Sequence, residues 1–326
     1  MSLKKIAEMT GVSISTVSRV LNNAPGPYAS QPLRERIWKA AQDIGYAPNR
    51  SAQQLRRGAH AAKARHVAIV TTRLHDLETD PFFHELYMNV QSELFRAGCT
   101  SVRVDASMDA SPTLPPCDGM VILGRCSQSM LNAFKRVNPN LVGIWRNPMD
   151  FDIDEVICDG KKAAEIAMEY LIKLGHTSIA YIGDCSYEMR YVGYCDALIR
   201  NNIPINYPLV FPTRQTEGEG HDAMKRIALS GMATAVFCAN DISAVGALRA
   251  LAELGRNRPD IAVISIDNID LAQTTDPFLT TINIPRRDMA HMAVSVLLDR
   301  MDKGHREHIR VEFPCQLVRR MSCGES

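Results

Sequence analysis

Residues 4–23 read KKIAEMTGVSISTVSRVLNN, and their spacing sets how the chain begins. Ile6, Ala7 and Met9 give the first segment its apolar residues, and Thr10-Gly11-Val12 interrupts it. Ser13 is a good N-cap for a second helix, in which Val17, Val20 and Leu21 recur at helical spacing. Val12 is placed to fill the gap between the two. A third helix is expected over about 31–44, with Leu33, Ile37, Ala40, Ala41 and Ile44 as its stripe. Ser30 caps it and Gly45 ends it. Two short helices joined by a glycine turn and closed by a third make a helix-turn-helix unit. An all-α head over residues 1–48 is therefore expected.

The second helix carries the candidate DNA-reading residues. With Val17, Val20 and Leu21 turned inward, Ile14, Ser15, Ser18 and Arg19 lie on the opposite side. Ile14 and Ser15 stand at the N-terminal end, where such helices meet base edges. An apolar side chain there suits a thymine methyl, and Arg19 suits guanine or a phosphate. Ser13, Thr16 and Ser18 read equally as phosphate-binding hydroxyls or as helix caps. Charge agrees with a polyanionic partner. Residues 1–65 hold eleven Lys and Arg against three acids, a net +8. The remaining residues hold 26 against 33, a net −7. A merely solvated basic arm is the alternative that charge alone leaves open.

From His66 on, strand and helix alternate. HVAIVT, TSVRV, MVILG, LVGIW, SIAYIG, TAVFCA and IAVISI read as strands. Helices are expected over about 82–97, 161–174, 187–201, 217–229 and 242–254. Continuous Val/Ile runs between helices imply parallel sheets covered on both faces. So long a segment exceeds one comfortable core, so two doubly wound α/β lobes are expected.

Ligands in such folds bind beyond the carboxyl ends of strands. That rule selects Asn240 and Asp241 after TAVFCA, Asp267 and Asn268 after IAVISI, and Arg190 after SIAYIG. Phe82 and Phe83, after the first strand, are placed to face them across a cleft. Carboxylate, amide and guanidinium groups opposite flat rings suit a small polar ligand such as a sugar. Asp241 reads first as the N-cap of the next helix and second as a ligand group. Asp267 and Arg190 read as ligand groups or as a structural ion pair.

The run at 4–23, followed by RERIWKAAQDIGYAPNRSAQQLRRG at 34–58, resembles the head of the LacI family of transcriptional regulators. The loop at 24–29 is longer than the family pattern. The resemblance extends through DGMVILG, LGHTSIAYIG, RYVGYCDAL, TAVFCANDISAVGALRAL, ISIDNID and LTTINIPRRDMA, in family order. It implies a hinge and linker over 49–65 and a periplasmic-binding-protein-like body over 66–326. Lobe one would comprise about 66–157 plus 284–311, and lobe two about 158–283 plus 312–326. The segment from Asn49 to Arg57 is compatible with a helix but has one large apolar side chain and is marginal alone. It reads as a plain linker or as a hinge helix that orders when two copies pair on DNA. The resemblance implies the second, with Leu55 as an apolar wedge in the minor groove and Asn49 and Arg56 beside it. It likewise implies effector contacts at Arg190, Asn240 and Asp267, an aromatic wall at Phe82 and Phe83, and a further wall position at Gln215. Asp159 is a ligand or a cap.

The resemblance implies a regulator, a repressor by expectation, that binds a palindromic double-stranded operator as a homodimer. A small-molecule effector, expected to be a sugar, would tune that binding. A purine-type co-repressor is the alternative, and the sign of the response is not legible. A sugar-binding protein or an enzyme without a DNA role is the rival from another class. The chain has no GxGxxG after a strand, no GxxxxGK[ST], no HExxH and no GxSxG. No cofactor or metal is expected. Nine cysteines without a CxxC pair read as free thiols in a reducing cytosol. The N-terminus has no signal-peptide core and no segment has membrane-span length, so a cytoplasmic, nucleoid-associated protein is expected. No heptad-rich tail follows Arg320, which favours a dimer over a tetramer.

Overall fold

In the computed structural model the described residues are 3–21, 29–44, 46, 65–72, 80–106, 114–186, 188–255 and 261–324. The head consists of α1 (Leu3–Thr10), α2 (Ile14–Leu21) and α3 (Gln31–Asp43). Ile6, Ala7, Val17, Val20, Leu21, Ile37, Trp38, Ala40 and Ala41 form its core, with Val12 and Leu33 packed against it. Ser13 caps α2, since its Oγ accepts from Thr16 N at 3.1 Å. Thr10 Oγ1 donates back to Ile6 O at 2.7 Å and closes the end of α1. Trp38 meets the ring of Phe95 edge-on, with centroids 4.9 Å apart, so α3 rests on the first helix of the body.

The body holds two six-stranded sheets. The first comprises β1 (His66–Thr71), β2 (Thr100–Asp105), β3 (Gly119–Leu123), β4 (Leu141–Trp145), β5 (Asp154–Ile157) and β11 (Arg310–Glu312). Its spatial order is β11-β5-β4-β3-β1-β2. The second comprises β6 (Ile179–Gly183), β7 (Val210–Pro212), β8 (Ala235–Cys238), β9 (Ala262–Asp267), β10 (Thr280–Asn283) and β12 (Gln316–Val318). Its order is β12-β10-β9-β8-β6-β7, parallel except for β12 against β10. Strands β3, β4, β6 and β9 are buried at every position, as continuous apolar runs between two helical layers require.

Seven described helices cover the sheets. They are α4 (Pro81–Arg96), α5 (Gln128–Val137), α6 (Gly160–Lys173), α7 (Met189–Arg200), α8 (Glu217–Ser230), α9 (Asp241–Glu253) and α10 (Arg286–Met301). Two of them, α5 and α10, were not among the helices expected from the sequence. The tightest pair is α8 against α9. A Cβ at Gly246 would fall 1.9 Å from Glu217 O, and one at Gly220 would fall 2.2 Å from Ser243 O. The chain passes between the sheets three times: after β5, between β10 and α10, and between β11 and β12.

Candidate functional site

The carboxyl ends of the strands gather the candidate effector residues. Strand β4 ends on Trp145, whose indole lies over Gly143, where an added Cβ would clash at 1.8 Å. The Trp145 Nε1–H donates to Glu155 Oε1 at 3.0 Å. This anchors the strand end and sets Arg146 at the mouth of lobe one. Asp80 caps α4 through Phe83 N at 3.3 Å, which fixes the Phe82–Phe83 corner. The two rings meet edge-on, with centroids 5.1 Å apart. Arg146 lies 4.0 Å above the Phe82 ring and also pairs with Asp267 of the other lobe, Nη2 to Oδ1 at 2.9 Å.

Lobe two supplies the second part of the site. Arg190 is 1% exposed, near the start of α7. Its Nε and Nη2 donate to the two Glu188 carboxylate oxygens at 2.9 and 2.8 Å, a bidentate pair. Nη1 donates to Ala239 O at 2.5 Å, and Nη2 also donates to Gln215 Oε1 at 3.0 Å. Asn240 closes this ring: its Nδ2 donates to Gln215 O at 3.1 Å, and its Oδ1 caps α9 through Ser243 N at 3.1 Å. Arg190 has five N–H groups, and these four bonds leave one on Nη1.

Arg286, at the start of α10, joins the lobes from a third side. It donates to Asp267 O and, at 3.0 Å, to Asn268 O, while holding Glu85 of α4 at 2.8 Å. The backbone here is unusual. Asp267, Asn268 and Gln215 have φ of 130°, 54° and 65°, in the left-handed region that favours glycine. Non-glycine residues held there are characteristic of ligand clamps and switch regions.

Burial and charge oppose each other across the site. Burial pushes the Asp267 carboxyl up, against the lowering effect of Arg146 and Arg190. Burial also pushes Glu188 up, but the charge and hydrogen bonds of Arg190 outweigh it and hold Glu188 at about 2. Arg190 is raised: burial would lower it, and Glu188 overcomes that.

All six sequence-selected effector residues are described, and they fall into two linked groups. Arg190, Gln215 and Asn240 share the lobe-two ring. Phe82 and Asp267 meet through Arg146, with Phe83 alongside. One expectation is corrected. Asp241 is not the N-cap of α9; Asn240 is. Asp241 lies one residue inside the helix, fully buried, and accepts from Ser265 Oγ, from Thr281 Oγ1 at 2.6 Å and from Ile269 N at 2.9 Å. It ties α9 to β9 and β10. Asp159 is the cap of α6, accepting from Lys161 N at 2.8 Å. Asp267 and Arg190 are both ion-paired, though not with each other: their partners are Arg146 and Glu188. Arg146, Glu188 and Arg286 were missed from sequence. The available signal was a Glu two residues before Arg190 and an Arg directly after a buried strand. A cavity of about 350 Å³ in lobe two, lined by Ser178, Tyr194, Leu198 and Leu209, shares none of these residues.

On the head, Ile14 is 47% exposed, and Ser13, Ser15 and Arg19 are exposed beside it, with Ser18 and Thr16 half-buried. Asn49, Leu55 and Arg56 lie outside the described residues. Among the described residues no helix is long and apolar enough to cross a membrane.

Known proteins show the same two-part arrangement. The profile "Bacterial regulatory proteins, lacI family" matches residues 2–49, and "Periplasmic binding protein-like domain" matches residues 168–323. The "Probable HTH-type transcriptional repressor ExuR" of Bacillus subtilis (strain 168) is 30% identical, covering 91% of this chain and 90% of that protein. The HTH-type transcriptional repressor PurR of Vibrio campbellii (strain ATCC BAA-1116) is also 30% identical, over 98% of this chain and 97% of its own length. Among solved structures, the complex of the transcriptional regulator CelR with cellobiose superimposes with a TM-score of 0.68 at 24% identity, covering 99% of both chains. A LacI family regulator from Enterococcus faecium with bound ribose gives a TM-score of 0.71 at 24% identity, over 79% of this chain and 98% of that one. With a helix-turn-helix head, a two-lobed α/β body and full-length relatives that are repressors, the chain belongs to the lacI family of bacterial regulatory proteins and is a DNA-binding transcriptional regulator, not an enzyme.

Proposed function

We propose that this regulator binds a near-palindromic operator as a homodimer and that a sugar or sugar derivative, held between its lobes, controls that binding. In this reading the head occupies 1–48, the hinge 49–65 and the effector body 66–326. Ile14 and Ser15 contact base edges, Arg19 a guanine or a phosphate, and Ser13, Thr16 and Ser18 the backbone. Asn49, Leu55 and Arg56 act from the hinge, with Leu55 as the minor-groove wedge. The effector lies between the Phe82–Phe83 wall and the polar ring of Arg190, Gln215, Asn240 and Asp267. In this reading the protein works in the cytoplasm, at the nucleoid.

The observation that carries the reading is the pair Arg146–Asp267, which spans the cleft where the two lobes meet. A ligand with hydroxyls to offer Asp267 and Asn240 replaces contacts that already cross the cleft, and so shifts the lobes' relative orientation. The cellobiose and ribose held by structures of similar fold support the sugar class. The test has two arms. Full-length protein selects its operator from random duplexes, and is then screened by thermal shift against sugars, sugar phosphates and purines. A sugar that shifts the melting temperature and changes operator affinity by about 5–150-fold supports the reading. A purine as the sole hit, or a hit that leaves operator affinity unchanged, overturns it.

A further inference from the structure

Two of the three passages between the lobes carry a cysteine, and the two thiols touch. Cys158 follows β5 in the first passage, and Cys315 lies between β11 and β12 in the third. Their Sγ atoms are 3.2 Å apart. Cys158 is fully buried, whereas Cys315 is partly open to solvent, and its thiol lies 3.5 Å from Asp159 O. A disulfide needs about 2.05 Å between sulfurs, so each sulfur has about 0.6 Å to travel.

We propose that Cys158 and Cys315 are a reversible oxidation site whose disulfide staples the first and third passages together and restricts the relative motion of the lobes. The oxidant is hydrogen peroxide. Cys315 is the attacking group, because it is the more accessible and a hydrogen bond from the Cys158 thiol holds it below the usual thiol range. Its thiolate attacks the peroxide oxygen; the O–O bond breaks, and a sulfenic acid and water form once hydroxide takes up a proton. The Cys158 sulfur then attacks the sulfenic sulfur, the S–O bond breaks, and a second water leaves. Two thiols lose two electrons and two protons, and one hydrogen peroxide is reduced to two waters. A cellular dithiol reverses the step by exchange. The staple acts at the pivot and not in the cleft, so it regulates without competing with effector. Its regulatory consequence rests on the reading that lobe orientation governs operator affinity; the chemistry does not.

The test uses the full chain, first reduced, then given hydrogen peroxide while folded, then alkylated in denaturant so that buried thiols are also reached. Seven of its nine cysteines take label after oxidation, and digestion yields a Cys158–Cys315 cross-linked peptide that dithiothreitol releases. Amide exchange at residues 156–160 and 313–316 slows about tenfold in the oxidised form. Cys315→Ser labels at all eight remaining cysteines, Cys158→Ser at seven because its Cys315 stays a sulfenic acid that nothing resolves, and neither variant shows such slowing. Labelling of all nine, a cross-link between other cysteines, or a terminal sulfinic product overturns the site. A cross-link with unchanged amide exchange overturns the staple. Where the reduced protein binds operator, oxidation cuts the effector-dependent change in affinity at least about fivefold, and dithiothreitol restores it. A cross-link that leaves this change intact overturns the regulatory role. Failure of the reduced protein to bind any operator counts against the proposed function and leaves the thiol result standing.

Discussion

Replacing Glu188 by Gln keeps the shape of the lobe-two ring and removes its charge. Arg190 is 1% exposed, so its guanidinium then sits inside the lobe without the carboxylate it grips at 2.8 and 2.9 Å. The size of the loss follows from two routes. Glu188 is held at about 2 against an ordinary value of 4.5, and a neutral Gln imitates the protonated acid. At about 1.4 kcal/mol per pH unit that depression corresponds to about 3 kcal/mol. Independently, removing one partner of a buried ion pair costs about 3–5 kcal/mol. At about 2–4 °C per kcal/mol for a unit of this size, Glu188→Gln lowers the melting temperature by about 6–12 °C in calorimetry at pH 7. The pH dependence supplies a sign check. A depressed carboxyl contributes fully above 4.5 and loses its contribution as pH falls toward about 2, so wild type and variant converge in acid. Adding Arg190→Met to the variant removes the stranded cation, and the double variant recovers much of the loss. A Glu188→Gln melting temperature within about 2 °C of wild type, or strictly additive losses in the double variant, refutes this account of the ring.

Asp241 gives the opposite pH signature. Burial, and then the Asp267 charge, push it up to about 7, so its contribution is complete below 3.8 and fades as pH rises through 7; Asp241→Asn flattens the fall in urea stability between pH 4 and 7, and an unchanged slope counts against that shift. Leu55→Ala weakens operator binding by at least about tenfold while effector affinity, read by calorimetry, holds; equal gel-shift titrations dismiss the wedge. Ile14→Ala relaxes discrimination at one base pair by about 1–3 kcal/mol in a random-duplex selection, and an unaltered consensus removes Ile14 from base readout. Asp267→Asn lowers affinity for the effector found by thermal shift at least about tenfold, and undiminished calorimetric affinity moves the site elsewhere.

What could be read from the sequence and what could not differ for a physical reason. The head's packing was legible because Val17, Val20 and Leu21, and Leu33 and Ile37, repeat at helical spacing; four of them join its core and Leu33 packs against it. Seven of the body's twelve strands were legible as Val/Ile runs with no second period to confuse them, and the five that were not are only three or four residues long. Asn240 and Asp241 show where such reading stops. Either side chain caps a helix well, and a boundary shift of one residue exchanges their roles. The hydroxyls of Ser265 and Thr281, on two other strands, draw Asp241 inward and leave Asn240 at the cap. Arg146 marks a second limit. It follows β4 in a stretch, RNPMDF, that reads as a proline turn, and its function depends on Asp267 arriving from the opposite lobe. No local pattern carries information about how two lobes meet.

That interlobe pair also bears on how control works in such a protein. With Arg146 lying between the Phe82 ring and the Asp267 carboxylate, and Arg286 bound to both Asp267 O and Glu85, the lobes are bridged before any effector arrives. An effector therefore does not gain the whole free energy of its contacts. It gains the difference between its own bridge and the one already present, and only the part that differs between lobe orientations reaches the operator. A tight ligand that keeps the Arg146–Asp267 geometry would bind and do nothing. A weaker one that turns Asp267 toward its own hydroxyls would switch. On the proposed placement of the effector, its strength would consequently be set less by affinity than by how far a ligand redirects Asp267, a residue already held at a φ of 130°.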